Sequence, residues 1–195
     1  MNFMIKRFFS KSTAEQRLRF QFDEGKSLEA LLYIATKWND VTAFYASKVV
    51  FYAEKFHLNR YARPIIGDTF IAMPNGPVPS EIYNIIKGRL DQTGDPAAFE
   101  NALNISTNSY RRVRANRPAN MNILSASDVE CLDEAIAFCK ARSFGTLSNL
   151  THQEPSWSEA PANGPMAYET MIDADNPKRE AILAEAREFA AYGVN

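Results

Sequence analysis

The chain is short of the residues that carry most recognisable chemistry. It has two cysteines and two histidines in 195 residues. Cys131 and Cys139 are eight positions apart in a stretch that reads as helix, which separates them too far for a mutual disulfide. So little sulfur fits a reducing cytoplasm. No pair of Cys or His has metal-ligand spacing, and no cofactor is expected. The turn Asn75 to Tyr83 lacks Walker spacing and its Lys-Ser/Thr, so it is not that type of phosphate loop. The net charge is only -1, so no global basic field holds nucleic acid by neutralising phosphates. Bulk charge gives no reason to sit on a membrane surface either. No apolar run approaches a membrane span. At the start, Met1 to Phe9, Lys6 and Arg7 sit inside a short apolar stretch. An export signal places its charge before a longer one.

What is present points to an ordinary folded core. Hydrophobic residues make up 46% and charged residues 23%, the balance of a soluble globular chain. The length suits one domain and is short for two. Thirteen Phe and eight Tyr supply large buried area. We read residues 1–17 as an extension and 18–195 as the domain. The fold class expected is mainly α with a small antiparallel β element, that is α+β. The architecture is a compact single-domain helical bundle with a short hairpin.

Leu18 to Phe22 alternates apolar and polar, which predicts a strand. Asp23 to Lys26 reads as a turn and Ser27 as the cap of a helix ending near Trp38. Tyr45, Val49, Tyr52, Ala53 and Phe56 share one face of a helix over about 43–57 and read as core. Pro64 to Met73 predicts a small hairpin around Gly67-Asp68. Asn75-Gly76-Pro77 then ends its second strand, and Pro79 or Ser80 opens a helix closing near Gly88. Residues 91–108 read as a loop with one short helix. Tyr110 to Arg117 reads as an edge strand, where charge prevents edge pairing. Ser127 to Glu130 forms a capping box before a helix to about Arg142. A short helix reaches Leu150, Met166 to Ile172 is a further helical candidate, and a last helix covers 177–192 behind Asn176-Pro177.

Two stretches are the most distinctive. Asn75 to Tyr83 is a rigid turn running into a helix. Its structural reading aims Ile82 and Tyr83 at the core; its functional reading is a partner surface. Leu147 to Trp157 is a short helix with a polar exit. His152 and Glu154 invite a catalytic or metal reading, but a zinc helix needs two His one turn apart. Pro155 interrupts the helix, and no third group can be named to complete a nucleophile and base. The bland reading is that both side chains satisfy backbone groups at a helix end while Trp157 packs. No catalytic residue is expected, and the chain is not read as an enzyme. Arg111, Arg112, Arg114 and Arg117 are candidate anchors for an acidic or phosphate-bearing partner, against the plainer reading of a solvated edge.

In this order and at this distance, the stretches resemble the Panacea family, the antitoxin domain of SocA-type, type II toxin–antitoxin pairs. Lys48-Val49-Val50-Phe51-Tyr52-Ala53 is similar to the family's lysine-then-tyrosine pattern. The turn Gly76-Pro77-Val78 with Tyr83 follows, and then a capped helix leading to Leu150, Thr151, His152, Glu154 and Trp157. The resemblance covers roughly residues 20–160, with its carboxy-terminal limit open. The arginine-rich stretch 109–120 and the amino-terminal extension depart from it. It implies a mainly structural role for those motif residues. It also implies an antitoxin that neutralises a cognate toxin by direct protein–protein binding. Some members are adaptors that deliver a toxin to a protease, and many are encoded in phages or prophages. Transcriptional autoregulation is the other alternative, although the charge balance argues against nucleic acid.

Overall fold

Eight α-helices, five short strands and one 3-10 turn build residues 17–193, the part of the chain that the computed structural model describes. The predicted extension, apart from Arg17, lies outside the described residues. The helices are α1 (Glu24–Lys37), α2 (Ala43–Tyr61), α3 (Ser80–Ile86), α4 (Pro96–Ala102), α5 (Ala126–Lys140), α6 (Phe144–His152), α7 (Pro155–Ser158) and α8 (Arg179–Tyr192). The strands are β1 (Val41–Thr42), β2 (Phe70–Met73), β3 (Gly76–Pro79), β4 (Leu103–Ile105) and β5 (Arg112–Ala115). The architecture is therefore mainly α with small antiparallel sheets, as the patterning predicts.

Helix α2 is the central post. Thr42 caps it by accepting from the Tyr45 N–H, and Ala62 ends it in the left-handed conformation. The expected aromatic stripe packs against α5, with Tyr52 and Phe138 ring centroids 4.5 Å apart. The rest of the helix is buried too, from Ala46 to Leu58 apart from half-buried Phe56. A helix covered all round must also bury its polar residues, so Lys48, Glu54, Lys55 and His57 are all inside. On α5, Leu132, Ile136 and both free thiols, Cys131 and Cys139, complete the core.

Two sheets flank this pair. β2 and β3 form a hairpin about Pro74-Asn75, and β1, β5 and β4 form a second sheet in that order. Pro77 and Pro79 lie opposite Ala72 and Phe70. The backbone groups of those two partners bond outward instead, Ala72 to Asn163 and Gly164 and Phe70 to Met166. The prolines thus occupy positions where a missing N–H costs the ladder nothing.

Several local expectations are corrected. Leu18 to Phe22 is irregular and not a strand; Leu18 donates to the Glu169 carboxylate and Phe20 packs edge-on to Tyr168. Helix α1 begins three residues before Ser27, because the Asp23 carboxylate accepts from the Lys26 N–H. The hairpin is not at Gly67-Asp68, and Gly76 to Pro79 is strand rather than turn. Asp68 is fully buried and its carboxylate takes the Glu81 and Ile82 N–H groups, so it caps α3 from a distance in place of Pro79. The capping box is Ser125 with Asp128, two residues upstream of the one expected. The arginine-rich strand is the middle of its sheet, not the edge. Met166 to Ile172 holds only a 3-10 turn, Tyr168–Thr170, and α8 begins two residues later than expected, at Arg179.

Candidate functional site

The motif residues, spread over more than a hundred positions, meet around the hairpin. Lys48 reaches from α2 to β3, where Nζ donates to the Pro77 carbonyl at 2.8 Å. That carbonyl is free to accept because it points away from the ladder. The ammonium also lies 4.9 Å from the Phe44 ring centroid. Lys48 is 1% exposed, and burial pulls its ammonium down to about 7. Beside it, Gly76 has a φ of +93°, and a Cβ there would stand 2.1 Å from Thr151 Oγ1 and 3.1 Å from Lys48 Nζ. Only glycine lets β3 pass between α2 and α6.

The helix exit grips the same hairpin. Trp157 Nε1 donates to the Met73 carbonyl at 3.0 Å, and His152 stacks on the indole at 4.0 Å. Glu154 does not satisfy a helix end, as its sequence position suggests. Its carboxylate pairs with Lys55, which also holds Asp173 at 2.8 Å. Burial pulls the Lys55 ammonium down, but the Asp173 and Glu154 hydrogen bonds outweigh it and hold it above its ordinary value. Burial, reinforced by the Glu154 charge, pushes the Tyr52 phenol up. Leu150 is half-buried and Thr151 fully buried, with its hydroxyl donating to the Ser148 carbonyl.

A second polar cluster was invisible in the sequence. Asp128 on α5 is fully buried and meets Lys26 at 3.0 Å, His57 Nε2 at 3.2 Å and Arg63 at 3.9 Å. Burial alone would push its carboxyl up; His57, the Ser125 N–H and Lys26 overcome this and hold it well below the usual range. Ser127 also lies 3.0 Å from His57 Nε2, which suggests a nucleophile and base. The arrangement is wrong for that role, because Asp128 approaches the same nitrogen while Nδ1 faces the Arg63 carbonyl at 2.8 Å. Nearby, Glu54 accepts from the Ile65 and Ile66 N–H groups. Burial still pushes its carboxyl to about 8, and that of Asp68 to about 6. Among the described residues no group of three or more His, Cys, Asp and Glu could hold a metal ion. No helix among them is long and apolar enough to cross a membrane.

One open feature is a groove of about 570 Å³ at the amino-terminal end of α2. Its walls come from Phe44 and Tyr45 on α2, Val78 of the hairpin, Tyr83 on α3, Tyr110 and Phe144. Tyr110 and Phe144 are 75% and 48% exposed. Lys48 sits in it as well, and so do Lys87 and Arg111. Of the four expected arginine anchors, only Arg111 lines it. Arg114 is paired with Asp40, Arg112 donates to the Asp40 carbonyl, and Arg117 forks onto Glu29 at 2.7 and 2.9 Å.

The family model described as antitoxin SocA-like, Panacea domain, matches residues 47–158. That span is more than half of the chain and contains every motif residue from Lys48 to Trp157. It begins well after the residue near 20 where the resemblance was expected to start. No curated protein and no solved structure matches the chain. With the lysine of α2, the glycine strand and the tryptophan clamp all inside the matched span, the chain belongs to the SocA-like antitoxin family with a Panacea domain.

Proposed function

We propose that this protein is an antitoxin that neutralises a cognate toxin by binding it directly, and that it is not an enzyme. Family membership supports the reading. The single observation that carries it further is the groove beside α2, where large aromatic side chains stand in solvent at the mouth of an apolar hollow. A concave apolar hollow with a few polar groups at its rim is a place where a partner's side chain can be buried. A stable complex needs roughly 800 Å² of matching surface on each side, and the groove would form one part of that area. Binding would work by occlusion, with the toxin's working surface covered while the complex lasts.

The decisive measurement is growth. The reading frame beside this one should arrest cells when expressed alone and become harmless when this chain is co-expressed. A neighbour that is harmless alone contradicts the proposal.

A further inference from the structure

We infer that the groove at the amino-terminal end of α2 is the slot for an acidic, aromatic-anchored segment of the partner polypeptide. This rests on the antitoxin reading and names the surface and the partner chemistry it leaves open. The groove's ionisable side chains set the sign of the partner. Lys48, Lys87 and Arg111 line it, and no carboxylate among the described residues does. The whole chain carries a charge of -1, so this is a local choice and not a reflection of composition.

Each cation is placed differently. An ammonium has three donors, and Lys48 has one hydrogen bond among the described residues, to Pro77. Its other donors share the groove with the Phe44 ring. Lys87 lies over the Tyr83 ring at 5.1 Å and has no ion pair among the described residues. Arg111 has a φ of +35°, a conformation that costs a non-glycine residue energy. It is fixed there because its carbonyl accepts from the Ala43 N–H at 2.8 Å, and its own N–H bonds to Asn108. Neighbouring Arg114 and Arg117 are neutralised by Asp40 and Glu29, while the Arg111 guanidinium has no ion pair among the described residues.

The apolar walls determine what kind of acidic molecule fits. Phe44 and Phe144 pack as a tilted pair with ring centroids 4.2 Å apart, and Tyr110 stands exposed on another wall of the groove. An aromatic or long apolar side chain fills the space between them. Acidic neighbours on the same segment reach Arg111 and Lys87, and an acceptor reaches Lys48. A nucleic-acid backbone is a poorer match. It requires a track of solvent-facing cations, whereas Lys48 here is buried at the base of an apolar hollow.

The test uses the full chain and the toxin encoded beside it, with affinity measured by calorimetry at low and high salt. Arg111→Glu combined with Lys87→Glu is expected to weaken the complex about a hundredfold and to remove most of its salt sensitivity. Tyr110→Ala with Phe144→Ala is expected to weaken it at least about tenfold. Tyr192→Ala, at an exposed position outside the groove, leaves it unchanged. Reversing an acidic residue of the bound toxin segment to Arg should recover part of the affinity for the charge-reversed chain. If the native complex forms and both double variants bind as tightly, the groove is not the slot, and the antitoxin reading survives. If charge reversal abolishes binding to duplex DNA and spares the toxin, the assignment is overturned in favour of nucleic acid. If no complex forms at all, the antitoxin reading and the slot fall together.

Discussion

Helix α2 buries charge toward both of its ends, and the two ends treat it differently. Toward its carboxy-terminal end, Glu54 receives two backbone N–H groups and His57 lies between the Arg63 carbonyl, Ser127 and Asp128. Charged groups there meet opposite charges from α1, α5 and the segment that follows α2, although Asp128 Oδ1 and one Arg63 guanidinium nitrogen make no hydrogen bond. Toward the amino-terminal end, Lys48 has one hydrogen bond and faces an open apolar groove. The contrast separates two uses of buried charge. Where the opposing charges are internal, they tie α1, α2 and α5 together. Where partners are incomplete and a hollow lies alongside, the missing acceptors can come from another molecule.

The strongest way to break the comparison is to disable the sealed end. Asp128→Ala leaves Lys26, His57 and Arg63 without their common carboxylate. An unpaired buried charge costs about 3–5 kcal/mol, so chemical unfolding should show a loss of that size. A loss below about 1 kcal/mol would mean the cluster is not a structural hub. Gly76→Ala comes next and asks whether the groove wall is as rigid as the sealed end. The overlap with Thr151 and the left-handed φ together predict a loss of about 3 kcal/mol in the same measurement.

Lys48→Met has the smallest effect on folding and sharpens the comparison most. Replacing a poorly partnered buried ion by an apolar side chain is expected to be neutral or stabilising at pH 7, by about 1 kcal/mol. The pH dependence gives the clearer signature. The folded ammonium titrates near 7 and the unfolded one near 10.5. Between those values the unfolded chain binds more protons, so the native protein gains stability as pH rises. The Met variant lacks that gain, and its advantage should shrink steadily across the window. A constant difference between the two curves would show that Lys48 is not held in a desolvated site.

Much of the helical framework was legible because it is local. The 3.6-residue stripe from Tyr45 to Phe56 announced α2, and Gly193 announced the end of α8. The errors arose where distant groups decide. Gly67-Asp68 has turn chemistry, yet Asp68 is needed thirteen residues on to cap α3, and the chain turns at Pro74-Asn75 instead. Ser125 and Ser127 both precede an acidic residue by three. The structure selects Ser125 because Asp128 is the residue drawn into the core. Residues 18–22 alternate like a strand but find no partner edge. Tyr110 to Arg117 was read correctly as a strand, but nothing local shows that β1 and β4 pair on both sides of it. The site is the extreme case. Lys48, Gly76 and Thr151 touch only once α2, β3 and α6 are packed.

The two thiols on α5 have a practical consequence. Cys131 and Cys139 are both 0% exposed, and burial pushes their thiols up to about 11 and about 12. Neither sulfur can meet an alkylating reagent while α5 lies on α2. The molecule thus carries a built-in gauge of its own breathing: alkylation in the native state that is slow against reclosing reports the fraction of molecules in which those two helices have parted.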